Sequence, residues 1–433
     1  MSIDRRDFVR FSAGAVAAST AGLAAGCLDV SVQEAPSRGS SSDVPEPISE
    51  LRPMLDGIEL ISDDERLERM EKARRLMVDN GVDAIYLEPG SSLTYYTDFQ
   101  WGRSERMMAM VLPARGEPAY VCPGFEEERA RELIRFGDDI RTWEEDESPY
   151  QRVAEIFDDR GISTGKVGFE ETVRFFLFDG IRQAAPRVEY VSATPITAGC
   201  RIYKSPAEIA LMQRANDITI EAYKATVATL HEGMTKSELS TNSRAAHAAL
   251  GVSGGIGANF GTASAFPHGS IEPIPLREGD IVLMDGGCGV GGYRSDISRT
   301  TVLGEPTQRQ IDIWDLELEA QNAAAEAAQL GAACEDVDAA ARKVITDAGF
   351  GPDYKVPGLP HRTGHGIGMD GHEWTNIVRG NKTPLAPGMC FSNEPMVAIY
   401  GEFGIRLEDC MYMAEDGPHF FTKQSISITE PFG

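Results

Sequence analysis

The stretch Ile281-Val282-Leu283-Met284-Asp285-Gly286-Gly287-Cys288-Gly289-Val290-Gly291-Gly292-Tyr293-Arg294-Ser295-Asp296-Ile297-Ser298-Arg299-Thr300-Thr301 decides how the chain is read. Its first four residues are an apolar run of the kind that makes a buried strand. Asp285 closes that run. A glycine-rich turn is expected at Gly286-Gly287-Cys288-Gly289, with Gly291-Gly292 beyond it and a second strand from Tyr293 through Val302. Two such strands folded together would bring Asp285 and Asp296, eleven residues apart, to one spot. Buried carboxylates are costly unless a cation compensates them, and a divalent metal is the simplest compensation. On this stretch alone a plainer alternative stays open, a hairpin whose aspartates cap turns.

Further hard-metal ligands lie downstream. His365 stands in His361-Arg362-Thr363-Gly364-His365-Gly366-Ile367-Gly368. Glu394 stands in Asn393-Glu394-Pro395, and Glu408 in Arg406-Leu407-Glu408-Asp409. Asp285, Asp296, His365, Glu394 and Glu408 supply four carboxylates and one imidazole, enough charge and oxygens for two divalent ions. Each alone has a structural explanation, but five such coincidences together are much less economical. Small residues around His365 let the backbone come close. Cys288 is read as a small buried residue, because no partner for a nucleophilic thiolate is evident.

The chain has 433 residues, 42% of them hydrophobic, enough for two domains with substantial cores. Its net charge of -26 argues against a nucleic-acid partner, which needs a basic face. Seven cysteines without a CxxC pair form neither a disulfide framework nor a thiolate zinc site. Of seven histidines, four (His268, His361, His365, His372) fall near the aspartates in the C-terminal half.

Residues 1–27 read as an export signal. Asp4-Arg5-Arg6-Asp7-Phe8-Val9-Arg10 resembles a twin-arginine motif, and a mildly apolar run to Gly26 follows, too short to span a membrane. Leu23-Ala24-Ala25-Gly26-Cys27 resembles a lipoprotein processing site, with Cys27 as the lipid anchor; ordinary Ala-x-Ala cleavage is the alternative. The expected location is periplasmic or anchored on the outer side of the membrane. Twin-arginine export carries folded proteins, which suits a metal loaded inside the cell, away from open competition that favours copper or zinc over manganese. Residues 28–50, rich in Ser, Pro and Glu, are expected to be a disordered tether.

The fold class is α/β, in two domains. In residues 51–200, Ser62 caps a helix to about Asn80. Strand-like segments follow at Asp83–Glu88, Leu93–Thr97, Met107–Pro113 and Pro118–Cys122, then a helix over Phe125–Phe136. The alternation continues through Val167-Gly168-Phe169, Val173–Ala185 and Val188–Ser192, which implies a layered α/β domain. Trp101 and Ser104-Glu105-Arg106 form a loop that either contacts substrate or simply packs with a surface ion pair. In residues 201–433, Ser205 and Pro206 start a helix to about Leu230, and Ser237–Leu250, Gln310–Leu330 and Cys334–Ala348 are further helices. The last strand is expected to carry Gly404 through Asp409.

These motifs resemble the "pita-bread" metallopeptidases, which include methionine aminopeptidase, aminopeptidase P, prolidase and the metal-free creatinase. The two-domain layout is similar to the prolidase, aminopeptidase P and creatinase branch, over about residues 55–433. The spacings of 29 from His365 to Glu394 and 14 from Glu394 to Glu408 look most like prolidase-type dipeptidases, and Pro267-His268-Gly269 also matches. The resemblance implies a creatinase-like N-terminal α/β domain and a C-terminal domain with a curved antiparallel sheet flanked by helices. It implies hydrolysis of short Xaa-Pro peptides, and two divalent ions at the five ligands, Mn²⁺ first, with Co²⁺, Zn²⁺ or Fe²⁺ as alternatives. Glu394 is then also the proton shuttle, His361 and His372 orient the scissile carbonyl and stabilise its oxyanion, and His268 contacts substrate. The alternative for His268 is a structural turn histidine. Arg406 supports a ligand carboxylate or binds a substrate carboxylate. A homodimer is implied, with a loop such as that around Trp101 reaching the neighbouring site. Relatives usually place a proline or arginine after the His-Glu pair, but Trp374-Thr375-Asn376 follows here, and Arg379 is the nearby substitute. Two other functions stay open: hydrolysis or lyase chemistry on a small nitrogenous or osmolyte-like compound, and a non-enzymatic binding lipoprotein.

Overall fold

The computed structural model describes residues 44–433, so the expected signal, Cys27 and most of the tether lie outside the described residues. The end of the tether is a correction. Glu46–Ser49 form a helical turn rather than disordered chain, and Ile48 is fully buried among the core residues. Burying that one side chain contributes about 1.5–3 kcal/mol, enough to pin a short segment whose composition is otherwise polar.

Six strands make one mixed sheet in the first domain, in the spatial order Asp139–Trp143, Ala119–Pro123, Ala109–Pro113, Ala84–Leu87, Lys166–Phe169, Glu189–Ser192. The first, fifth and sixth in that order run parallel to their neighbours, and the three between pair antiparallel. Strand alternation sorts the central residues between two cores: Ile85 and Leu87 face one cluster, Ala84 and Tyr86 the other. Asp63–Asp79 is the expected helix, with the Ser62 hydroxyl accepting from the Glu65 amide at 3.2 Å.

Three local expectations fail here. Leu93–Thr97 is not a strand; Ser91–Thr97 is a helix, stopped by Asp98 in the left-handed region. Leu93, Tyr95 and Tyr96 all drop into the same core, a demand that outweighs the β preference of the aromatics. The charged helix covers only Glu127–Leu133, because Ile134 turns to extended backbone. Asp139–Trp143 is a strand that sequence reasoning missed, since most of its residues are only half-buried and carry no apolar alternation. Trp101 stacks on Phe99 at 5.6 Å, and Arg106 pairs with Glu105 and Glu145, which is the packing alternative within a single chain.

The second domain holds two larger antiparallel sheets, each covered by a helix pair, and a two-stranded ribbon of Met396–Ile399 and Phe403–Arg406. Gly254–Phe260, Ile281–Val290 and Ile297–Val302 form the first, against Pro206–Val227 and Lys236–Ala249. The second runs Glu373–Ile377, Gly364–Gly366, Cys390–Asn393, Asp409–Ala414, Gly417–Phe420, against Gln308–Ala327 and Cys334–Asp347. The two sheets meet where Ser298 and Glu408 exchange backbone hydrogen bonds at 3.3 and 3.1 Å. Two turn assignments change. The reversal falls at Gly291-Gly292, both with positive φ, while Gly286 through Gly289 continue the strand. The strand expected to span Gly404 to Asp409 is two, Phe403–Arg406 and Asp409–Ala414, broken where Glu408 turns toward the other sheet, and Gly417–Phe420 follows them.

A buried ionic cluster ties the domains together. Glu373 accepts from Lys204 at 2.9 Å and from Arg201, and Arg201 reaches Asp370 at 2.7 Å and the Ser92 hydroxyl at 3.1 Å. Burial alone pushes the Glu373 carboxyl up, but Lys204 and Arg201 more than offset it and hold it at about 2. Glu373→Ala would leave Lys204 buried without a partner and Arg201 held by Asp370 alone, at a cost of about 3–5 kcal/mol. Urea unfolding should show that loss. The folded value lies below the ordinary 4.5, so this stabilisation is complete above that pH and is lost as pH falls toward about 2. The stability gap between wild type and Glu373→Gln should therefore close over that acid interval.

Candidate metal centre

Each expected ligand is carried by a different part of the second domain. Asp285 lies in Ile281–Val290, opposite Gly257 on one side and Ser298 on the other. Asp296 immediately precedes Ile297–Val302. His365 is the middle residue of Gly364–Gly366, Glu394 follows Cys390–Asn393, and Glu408 fills the gap after Phe403–Arg406. Glycine flanks His365 for a steric reason. A Cβ on Gly364 would stand 1.9 Å from the Ser392 carbonyl oxygen, and one on Gly366 would stand 2.3 Å from that of Trp374. The imidazole is thus carried on a strand squeezed between two neighbours.

The five side chains converge on one cavity of about 350 Å³, which His268, His361, His372 and Arg406 also line. Donor atoms of Asp285, Asp296 and Glu408 lie within 4.8 Å of one another, as do those of His365, Glu394 and Glu408, and those of Asp296, His365 and His372. The His365 Nε2 is 3.1 Å from Glu394 and 3.8 Å from Asp296. Its Nδ1 donates to the Gly366 carbonyl at 3.1 Å, which leaves Nε2 as the atom offered to the carboxylates. Arg406 is buried and committed: it reaches Asp285 at 2.6 Å and the Ser298 hydroxyl at 2.9 Å. Ser298 in turn donates toward Glu408 at 2.7 Å and toward Asp285 at 3.1 Å. Of the two expectations for Arg406, support of a ligand carboxylate is the one its contacts match.

Charge in this cavity is unbalanced. Burial, reinforced by Asp285, pushes the Asp296 carboxyl up to about 7. Burial and three neighbouring carboxylates push Glu408 far above its usual range. Burial opposes the charged form of His365, but Glu394 and Asp296 outweigh it and raise the imidazole. Glu394 is held low, because the His365 hydrogen bond overcomes its burial. One oxygen of Glu408, Oε1, is buried with no hydrogen-bond partner. An orphaned buried carboxylate oxygen among acids that resist ionising fits a site for a cation. The donor set, oxygens plus one imidazole, fits hard or borderline divalent metals.

The other histidines are set by their hydrogen bonds. His361 Nδ1 donates to the Arg362 carbonyl at 2.7 Å, so its buried, unpartnered Nε2 is a lone pair. His372 Nδ1 lies 3.3 Å from Arg362 Nη2; a guanidinium only donates, so His372 carries its proton on Nε2. Burial holds both imidazoles below their usual value and therefore neutral. His268 lines the cavity from an exposed position. Cys288 is buried, its thiol donating to the Ala215 carbonyl at 3.3 Å, with burial pushing its pKa up. Arg379 does not reach the site: it is exposed and pairs with Asp353 at 2.8 Å. Arg362 lines the cavity, and sequence reasoning passed over it although it lies inside the histidine motif.

A mixed α/β domain joined to an antiparallel α/β domain with an acidic, histidine-lined centre defines a two-domain protein built around a metal site. Residues 210–415 match the model of metallopeptidase family M24, and residues 69–203 that of the creatinase/prolidase N-terminal domain. An uncharacterized peptidase of Schizosaccharomyces pombe is 34% identical over 86% of this chain and 84% of its own length. The Xaa-Pro dipeptidase of Lactobacillus delbrueckii subsp. lactis is 30% identical over 83% of this chain and 98% of its own. The crystal structure of dipeptidase PepE from Mycobacterium ulcerans superposes with a TM-score of 0.78, at 30% identity, over 86% of this chain and 99% of that one. The chain belongs to metallopeptidase family M24 and is a metal-dependent peptidase.

Gly366→Ala forces a Cβ against the Trp374 carbonyl, so the strand carrying His365 must shift. The variant should lose about 1–3 kcal/mol of stability. It should also bind less metal than wild type by elemental analysis; unchanged metal content would show that His365 tolerates the shift.

Proposed function

We propose that this chain hydrolyses short peptides with proline after the scissile bond, as a dipeptidase using two divalent ions, Mn²⁺ first. The supporting observation for two ions is that Glu408 belongs to two donor groups, one with Asp285 and Asp296, the other with His365 and Glu394. The Xaa-Pro assignment is supported by relatives named for that activity in Lactobacillus delbrueckii and Lactobacillus helveticus, each 30% identical.

Bound divalent ions would supply positive charge that polarises the scissile carbonyl and makes water more acidic. The protein's residues do the rest. Glu394, held ionised beside His365, takes a proton from the attacking water and returns it to the leaving nitrogen. His372 offers its Nε2–H to the carbonyl oxygen as charge grows on it. The His361 Nε2 lone pair and the His268 ring orient substrate from the cavity wall. Arg406 keeps Asp285 and Ser298 in place.

Chelation should abolish hydrolysis of Ala-Pro, and Mn²⁺ or Co²⁺ should restore it. His365→Ala should remove metal and activity together; an active, metal-free variant would refute the ligand assignment. A panel of Xaa-Pro dipeptides and longer Xaa-Pro peptides tests the specificity, with turnover confined to the dipeptides as the expected result.

We further propose twin-arginine export with lipidation at Cys27 and a homodimer. The supporting features are Arg5-Arg6, the Leu23 to Cys27 segment and the family's two-domain layout. Replacing Arg5 and Arg6 by lysine should retain the protein inside the cell, as read by fractionation.

A further inference from the structure

The helix Gln308–Ala327 sends a polar side chain to the two strands that lead into Glu394 and Glu408. That side chain is Gln321, which is fully buried. Its Nε2 donates to the Asn393 carbonyl at 3.3 Å and to the Asp409 carboxylate at 3.0 Å. A backbone carbonyl and an arginine-paired carboxylate only accept, so the nitrogen faces them, and Oε1 accepts from Gln424 Nε2 at 2.9 Å. The Gln321 backbone carbonyl accepts in turn from Asn393 Nδ2 at 2.8 Å. Asn393 and Asp409 are the last paired residues of their strands. Beyond them the chains part: the Glu394 amide donates to the Thr363 carbonyl at 2.8 Å, and the Glu408 amide to the Ser298 carbonyl at 3.1 Å. Gln321 thus grips both prongs of a fork, each one residue away from an expected metal ligand.

We propose that Gln321 is a positioning residue of the metal centre: its amide sets the separation of Glu394 and Glu408, and with it the fit of an ion held by His365, Glu394 and Glu408. This rests on the ligand assignment given above. Metal–ligand distances tolerate only about 0.2 Å, so drift of either prong is felt at the ion. Arg299 and the Thr422 hydroxyl hold Asp409 without reaching Asn393. Among the described residues, Gln321 alone bonds both Asn393 and Asp409 through its side chain. An apolar side chain of similar size would fill the space without burying an amide, so the tie is what the amide contributes.

The test titrates Mn²⁺ calorimetrically into the metal-free full chain, in wild type, Gln321→Met, Gln321→Glu and Gln310→Met. Gln321→Met keeps the volume and leaves Asp409 paired with Arg299, so the fold should hold. At least one Mn²⁺ binding step should weaken about ten- to a hundredfold in that variant. Saturated with Co²⁺, it should show shifted visible absorption bands, and its loss on Ala-Pro should fall on kcat rather than KM. Gln321→Glu carries the test if the methionine variant does not fold. Its ionised carboxylate has no proton to donate and repels Asp409, whereas the protonated form donates again, so its deficit against wild type should shrink as pH is lowered. Gln310 is the control, a buried residue of the same helix whose Nε2 donates to the Gly279 carbonyl at 2.9 Å, away from the fork. Gln310→Met should match wild type in Mn²⁺ affinity and Co²⁺ spectrum. Wild-type affinity and spectrum in a folded Gln321 variant, or an equal loss in Gln310→Met, would overturn the positioning role. A wild type that binds neither Mn²⁺ nor Co²⁺ would sink the ligand assignment instead.

Discussion

Four carboxylates share one largely buried cavity, and that arrangement is stable only with positive charge among them. Asp285, Asp296, Glu394 and Glu408 face each other across distances at which like charges in a weakly polar medium repel strongly. Arg406 and His365 compensate part of this charge. The raised carboxyls of Asp296 and Glu408 and the orphaned Glu408 oxygen mark the remainder. Such a cluster makes no contribution to folding that an apolar core would not make better. Its retention at the seam between two sheets is explained by the cations it can hold.

The seam also explains why the chemistry sits where it does. Ser298 and Glu408 join the sheets backbone to backbone, and the Ser298 hydroxyl then bonds both Glu408 and Asp285. Behind Glu408, Asp409 pairs with buried Arg299 at 2.6 Å. Ligands from opposite sheets are therefore fixed by the same contacts that hold the sheets together. On the far rim, His372 adjoins Glu373, which Arg201 and Lys204 grip at the domain junction, where Arg201 also donates to the Ser92 hydroxyl of the first domain. The position of a histidine at the cavity is in this way tied to the docking of the domains, through buried ion pairs whose separation would be costly.

Much of this was legible residue by residue. Ser62 announced its helix through a cap hydroxyl with a glutamate three positions on, and Ser205 through a cap hydroxyl with a proline in the first turn, local devices that need no tertiary context. The ligand types and their spacing announced a hard-metal centre. Elements whose form depends on partners were illegible. Ser91–Thr97 is helical because three large side chains must enter one core, and Asp139–Trp143 is a strand because a neighbouring strand offers it a free edge. Gly286 to Gly289 resemble a turn in sequence, yet they are strand residues kept small because other backbones press on them: a Cβ on Gly287 would stand 2.1 Å from the Ser295 carbonyl oxygen.

The sequence by itself determined the inventory: which side chains can bind a hard cation, the two-domain α/β class, and the family branch those motifs belong to. Covalent order and residue chemistry suffice for that. Only the tertiary structure decided that Arg406 is committed to Asp285, that Arg379 turns away to Asp353, and that Arg362 enters the cavity without a carboxylate. Those outcomes depend on which acid lies within a few ångströms of each guanidinium. Such distances are fixed by how two sheets and two domains pack, and no spacing along the chain encodes them.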